Sequence, residues 1–434
     1  MMDIPIPQGA RQIIRDLEEQ GFEAYVVGGC VRDSLFFRTP KDWDITTDAR
    51  PEEVKRIFAR TIDTGIQHGT VTVLLDGGSY EVTTYRIDGL YLDGRHPSEV
   101  SFTNKLAEDL RRRDFTVNAM AYHPQRGLID LYGGEGDLRR GVIRAVGCAT
   151  ERFSEDALRM LRAVRFCAQL DFSLETETRA AIRDLAPRLA LVSKERIQVE
   201  LFKILTGQCP HFYLWCHELG LTAGMDQALP CSDAEQLRLM EKRLRLLAER
   251  LHLEEERACD STAVLTEDRE RLYLGLAVII LPSYRGERRE PEQMFRRLHI
   301  DNETRLHVTT MVANAKRELA VDPPSVRRAL SQLGETDLRL VSRLQKLTGR
   351  HDDDLYQRQI ALILARKEAF RIDMLAVDGY NIMERYHCRG KEIGTLLQIA
   401  LEMVLEQPER NSREEIFAYL DGCAVTSLQK ENEV

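Results

Sequence analysis

The sequence predicts an α/β N-terminal part, a small mixed sheet with helices, followed by an all-α remainder. Three observations carry this. Tyr25-Val-Val-Gly-Gly-Cys-Val-Arg-Asp33 reads as strand, two-glycine turn and helix, and Asp42-Trp-Asp44 opens a second strand running to Thr47. Thr70–Leu75 and Ser79–Tyr85 are β-rich runs joined by Asp76-Gly77-Gly78, a hairpin signal. From Glu151 onward the apolar periodicity is helical, and that change of class puts a domain boundary near residue 147.

Taken in order, Ile13, Ile14 and Leu17 predict a helix over residues 8–20, stopped by Gly21. The Tyr25–Gly28 strand, a short helix from Val31 and the Asp42–Thr47 strand follow. Pro51 opens a helix over Glu52–Phe58, at the first-turn position that tolerates proline. Ile87 to Thr103 is dense in turn residues (Asp88-Gly89, Asp93-Gly94-Arg95, Pro97) and predicts a mobile, functional loop. Glu155 to Phe166 predicts one helix, with Leu158, Leu161 and Val164 as its apolar line and Asp156, Arg159, Arg162 and Arg165 as an adjacent polar ridge. Further helices are expected over 195–205, 237–253, 268–281, 291–317, 325–347 and 354–370, with a turn at Ala376–Asn381.

At 434 residues the chain exceeds a single core. A net charge of −9 excludes indiscriminate coating of nucleic acid, yet Lys105–Arg165 holds twelve Lys/Arg against nine Asp/Glu, a locally basic region. Nine scattered cysteines without a C-x-x-C pair predict a reducing cytoplasm rather than a disulfide framework. Cys209, Cys216 and His217 read as buried groups beside Trp215 rather than a metal site, and His351-Asp352 as a solvated acidic patch. The first residues, Met1-Met-Asp-Ile-Pro-Ile-Pro7, have neither a basic start nor an apolar core and predict no signal peptide, and Leu274–Pro282 is too short to span a membrane.

Alternation along a strand gives Asp42 and Asp44 one face and Trp43 the other. Paired hard oxygen donors suit Mg²⁺, which completes its shell with water and substrate phosphates. Gly28 and Gly29 let backbone N–H groups approach an anion at a helix N-terminus. Metal and phosphate together imply a nucleotide. Glu81 is a candidate third carboxylate, on one face with Thr83 and Tyr85; a solvated edge-strand Glu is the competing reading. The Arg111–Arg113 run abuts Asp114 and Phe115 and reads as phosphate-binding. Three arginines against one Asp on the 156–165 ridge leave positive charge for an anionic ligand.

At these residues the chain resembles the class II, bacterial-type tRNA nucleotidyltransferases, the CCA-adding enzymes that share a head with bacterial poly(A) polymerases. The matching stretches are Gly28-Gly29-x-Val31-Arg32-Asp33, Asp42-x-Asp44, Glu81-Val-Thr-Thr84, Arg112-Arg-Asp-Phe-Thr-x-Asn-Ala119, Glu155-Asp-x-Leu-Arg159 and Leu161-Arg-Ala-x-Arg-Phe166. The resemblance implies a catalytic head over residues 1–147, a nucleobase-selecting neck over 148–220, a helical body over 221–345 and a tRNA-binding tail over 346–434. It implies Asp42 and Asp44 on Mg²⁺, and Gly28, Gly29 and Arg32 on the nucleotide's phosphates. Arg113, Asp156, Arg159, Arg162 and Arg165 would line the nucleotide pocket. The implied partners are CTP, ATP and the tRNA acceptor arm, with no membrane.

Asp156 and Arg159, one helical turn apart, offer an acceptor beside a donor. Cytosine and adenine match that polarity and uracil and guanine reverse it, so side chains would replace a template. The chemistry expected is two-metal phosphoryl transfer, with Glu81 helping to orient the attacking hydroxyl. Full CCA addition leads; the shortened loop of CC-adding forms is absent, since Arg86–Ser101 is full-length with Asp93 and Arg95. A-only addition and poly(A) polymerase follow. A small-molecule nucleotidyltransferase would not need the long helical part, and a non-catalytic RNA-binding protein would not need the carboxylate pair.

Overall fold

The computed structural model describes residues 4–75, 77–88, 100–225, 233–255, 266–284, 289–350 and 352–431. Asp76 of the hairpin turn, Gly89, Asp93, Arg95 and Pro97 of the expected loop, and His351 lie outside the described residues. The chain divides into two compact units, residues 1–250 with 293–300, and residues 251–292 with 301–434.

The first unit is built on a seven-stranded mixed sheet of order β3-β4-β5-β2-β1-β8-β9. Its strands are β1 (Ala24–Val27), β2 (Ile45–Thr47), β3 (Thr61–Gly65), β4 (Thr70–Leu75), β5 (Gly78–Thr84), β8 (Met120–His123) and β9 (Gly127–Asp130). The remaining strands are two small pairs, β6 (Arg86–Asp88) with β7 (Val100–Phe102), and β10 (Val142–Ile143) with β11 (Ser173–Leu174). The two central strands β2 and β5 run parallel, with Ile45 opposite Val82. The β4–β5 hairpin forms as expected, Val71 opposite Val82 and Thr72 opposite Glu81.

Helix α1 (Gln8–Glu19) buries Ala10, Ile13, Ile14 and Leu17 and ends before Gly21. Helices α2 (Gly29–Leu35), α3 (Pro51–Ile57, with Pro51 in its first turn), α4 (Leu106–Arg111) and α5 (Gly134–Arg140) complete the head. Tyr25, Val27, Tyr85, Leu110 and Ala121 form one of its buried clusters. Seven strands, β3, β6, β7, β8, β9, β10 and β11, are additions to the sequence reading, β6 and β7 pairing at the two ends of the stretch expected to be a loop. β11 interrupts the all-helical stretch expected after residue 151, pairing in parallel with β10.

Helices α6 (Ala149–Glu155), α7 (Leu158–Leu170), α8 (Thr176–Leu185) and α9 (Lys194–Leu205) follow. The single helix expected over Glu155–Phe166 is therefore two, broken at Asp156, whose φ/ψ of −140°/105° is extended. Cys216 is fully buried and Cys209 half-buried, and burial pushes both thiols up to about 12.

The second unit is helical. Its larger helices are Glu267–Ile280, Asn302–Asn314, Pro323–Leu347 (bent at Gly334), Asp353–Ala365, Lys391–Glu406 and Arg413–Glu431. The expected 291–317 helix is split into Arg289–Arg297 and Asn302–Asn314, because His299 turns left-handed (φ +54°) and Asp301 caps a new N-terminus. The Asp378-Gly379 turn is the capped start of Gly379–Tyr386, with Asp378 and Asn381 reciprocally bonded. Buried Arg327 donates to the carbonyls of Leu405 and Glu406 and pairs with Glu368 at 2.7 Å, tying off the end of Lys391–Glu406. Among the described residues no helix is long and apolar enough to cross a membrane.

Candidate active site

The site begins where β2 ends. The strand expected over Asp42–Thr47 is only Ile45–Thr47, and Asp42 and Asp44 lie in the segment leading into it. The backbone register still reaches Asp44, whose carbonyl accepts from Val27 N at 3.0 Å. Before β2, Asp42 and Asp44 keep exposed surface and Trp43 is half-buried, while the Asp44 carboxyl is still surrounded by enough protein to be partly desolvated. Because β2 and β5 are parallel with Ile45 opposite Val82, the residues before them, Asp44 and Glu81, fall side by side. The Asp44 carboxyl is accordingly raised above the ordinary carboxylate range, first by desolvation and then by Glu81 and Asp42, with Arg113 opposing. Tyr85, expected on the Glu81 face, instead follows the strand and is fully buried.

Arg113 closes the other side. Its guanidinium lies against Gly28, where a Cβ would stand 2.9 Å from Nη1 and where φ is +83°. Only glycine fits such a position. Arg113 and Arg112 both pair with Asp109 of α4, at 3.3 and 2.7 Å. Asp109 is fully buried; burial favours its neutral form, but the charges of Arg113 and Arg112 outweigh that and hold its carboxyl below the usual range. Arg32 donates to Asn118 Oδ1 at 2.7 Å and pairs with Asp33 at 2.7 Å.

The arginine ridge is neutralised, contrary to the expected surplus. Arg159 pairs with Glu155 at 2.6 Å, Arg162 with Asp114 at 2.5 Å and Arg165 with Glu200 of α9 at 3.2 Å. Arg165 is buried in that pair and does not present an open guanidinium; burial, with Arg162 nearby, pulls its pKa down to about 10. Asp114 is buried too, yet Arg162, Asn118 and Arg159 keep its carboxyl far below the usual range, and the Phe115 N–H also donates to it at 2.8 Å. The Phe166 ring gathers Arg165, Arg32 and Arg162, their guanidinium carbons 4.1, 5.2 and 5.5 Å from its centroid. It also packs edge-on against Phe115 at 5.6 Å.

Asp156 and Arg159 are not on one helix, but they remain within one turn, since Arg159 N donates to Asp156 O at 3.0 Å. The Asp156 carboxylate receives Arg196 of α9 at 3.3 and 2.7 Å and Leu158 N at 3.1 Å. A carboxylate has about four acceptor positions, so roughly one stays open, on Oδ2. Arg159 spends Nη1 on Glu155 and Arg152 O and one Nη2 hydrogen on Arg112 O, leaving Nε–H and the other Nη2 hydrogen as donors. Arg196, Glu155, Glu200 and Asp109 are contributions that the sequence reading missed. Arg196 carries no local signal, being 40 residues from its partner; Asp109 at least sits one turn before the triple Arg.

Among the described residues no three His, Cys, Asp or Glu form a self-sufficient metal cage.

Residues 24–144 match the poly A polymerase head domain, and residues 171–219 match a segment described as a probable RNA and SrmB-binding site of polymerase A. A CCA-adding enzyme of Lactobacillus delbrueckii subsp. bulgaricus is 57% identical over 199 residues, 46% of this chain and 50% of that protein. The chain spans about half the length of the curated relatives it matches. The structure of a Thermotoga maritima CCA-adding enzyme complexed with tRNA has a TM-score of 0.66 over 97% of this chain and 99% of that one, and at 21% identity the likeness is one of fold. The structure of a Bacillus stearothermophilus CCA-adding enzyme in complex with CTP superposes with a TM-score of 0.79 and 32% identity, over 98% of both chains. With that likeness running almost end to end, and the head matched over its sheet and acid face, the chain belongs to the CCA-adding enzyme family.

Proposed function

We propose that the protein adds CCA to the 3′ end of tRNA from CTP and ATP without a nucleic-acid template. The observation that supports this reading is that Asp44, just before β2, feels the charges of Glu81 on the adjoining parallel strand and of Asp42, with Arg113 and Gly28 beside them. Asp42 and Asp44 would hold a divalent cation, and their crowded negative charge and hard oxygens suit Mg²⁺. When bound, the metal supplies charge neutralisation at the triphosphate and a lowered pKa for the RNA 3′-hydroxyl. Glu81 orients that hydroxyl. Gly28, Gly29 and Arg32 meet the triphosphate. The open acceptor of Asp156 faces the exocyclic amine of cytosine or adenine, and the free donors of Arg159 face the neighbouring ring nitrogen. Arg162 and Arg165 act through Asp114, Glu200 and Phe166 to fix the pocket wall.

Names of relatives support CCA addition over A-only or poly(A) synthesis. The test is to incubate the protein with tRNAs ending in the discriminator base, C or CC, and to supply CTP and ATP separately and together. CTP alone is expected to add two C to the discriminator-ended tRNA and one to the C-ended tRNA, ATP alone to add one A to the CC-ended tRNA only, and completion of the two shorter tRNAs to need both. Long A tracts from ATP alone, or no extension at all, overturn the reading.

A further inference from the structure

One turn beside this site has a character the arginine pocket lacks. Phe37 is 88% exposed, the most exposed large hydrophobic side chain among the described residues, and its φ of +56° is in the left-handed region. The turn is clamped on both sides. Arg38 N donates to Asp33 O at 2.8 Å, its Nη1 to Gln169 O at 3.0 Å and its Nη2 to Gln208 Oε1 at 2.7 Å. The Phe36 ring meets Phe172 edge-on at 5.3 Å. A held backbone thus presents the Phe37 ring to water. The nearby charge has no counter-ion: Arg38 bonds two neutral oxygens and lies over the Phe36 ring, 5.0 Å from its centroid, and neither it nor exposed Lys41 makes an ion pair among the described residues. Phe37 lies five positions before Asp42, so at most about 17 Å of chain separates them.

We propose that Phe37, flanked by Arg38 and Lys41, is a platform for the single-stranded 3′ end of the RNA substrate. The ring stacks on one base and the two cations face its phosphates. This rests on the functional reading above, which requires an RNA 3′-hydroxyl at Asp42 and Asp44. An aromatic face beside uncompensated cations is the chemistry that holds single-stranded nucleic acid irrespective of sequence. A protein partner fits less well, because charged residues are depleted from interface cores and the ring is flanked in the chain by Arg38 and Lys41.

The experiment is extension of tRNA lacking its terminal nucleotides by full-length wild type, Phe37→Ala, Phe37→Gly and Phe37→Trp. Phe37→Ala is expected to raise KM for RNA about five-fold or more, with KM for CTP and kcat within about two-fold, and Phe37→Trp to restore it. Phe37→Gly suits the left-handed backbone, so it keeps or raises the melting temperature while sharing the KM defect. An unmoved RNA KM in Phe37→Ala, or a defect in the CTP KM alone, overturns the platform. So does a change in sedimentation with no change in KM, which would place a second copy on the ring. If wild type makes no product, the activity reading fails by itself. Anisotropy with the same RNA then decides the platform, and equal Kd values for wild type and Phe37→Ala overturn it.

Discussion

Asp44 and Asp114 are carboxylates whose surroundings act with opposite sign. Desolvation, Glu81 and Asp42 raise the Asp44 pKa. A raised folded-state value means that the ionised form opposes folding once the pH exceeds it. Asp44→Asn should therefore melt no lower than wild type in chelating buffer, while CMP incorporation falls about a thousand-fold or more. Millimolar Mg²⁺ should raise the wild-type midpoint and leave the variant's unmoved; equal responses in calorimetry would remove Asp44 from the cation site. Asp114 is held low despite its burial, by Arg162 first. Its contribution is fully present above the unfolded carboxylate pKa, near 4, and is lost as pH falls below it. Asp114→Asn leaves Arg162 without its partner and should lower stability at pH 7 by about 3 kcal/mol. Urea titrations at pH 7 and pH 3 should show that deficit shrinking in acid, and a constant deficit would contradict the ion-pair account.

At the scale of elements, the break between α6 and α7 matters most. Asp156 leaves the helix to accept Leu158 N, and Arg196 of α9 seizes the same carboxylate. Arg196 therefore acts as a positioning residue for base choice. Arg196→Ala should cut discrimination of CTP over UTP about ten-fold, read as a ratio of kcat/KM values; an unchanged ratio would mean that Asp156 is oriented without it. The break was not legible in the sequence, because residues 155–166 contain neither Gly nor Pro and the apolar spacing runs on unbroken. The partner that stabilises it arrives from 40 residues away. Short-range signals were legible: the β4–β5 hairpin, Gly21 ending α1, Pro51 opening α3, and alternation about Trp43. The neutralised ridge was hidden for the same reason as the break, since Asp114 and Glu200 reach Arg162 and Arg165 from other elements. β3 was hidden because Thr61–Gly65 is mostly exposed and carries no apolar alternation.

At the scale of the whole molecule, the first unit is not continuous in sequence. Residues 293–300 return to it after an excursion into the second, burying Phe295 and Leu298. His299 secures the return, with Nδ1 at 2.7 Å from Glu195 and its carbonyl accepting from Gln198 Nε2. Both partners lie on α9, the helix that carries Arg196. A cavity made in this short segment should therefore loosen α9 rather than the helices that follow it in sequence. Leu298→Ala should cost about 2–5 kcal/mol as a buried leucine truncation. Hydrogen exchange of the full chain should then show faster amide exchange across 194–205, with 323–347 unaffected. Faster exchange confined to 302–347 would mean that Leu298 supports the second unit, and the division of the chain would have to be redrawn there.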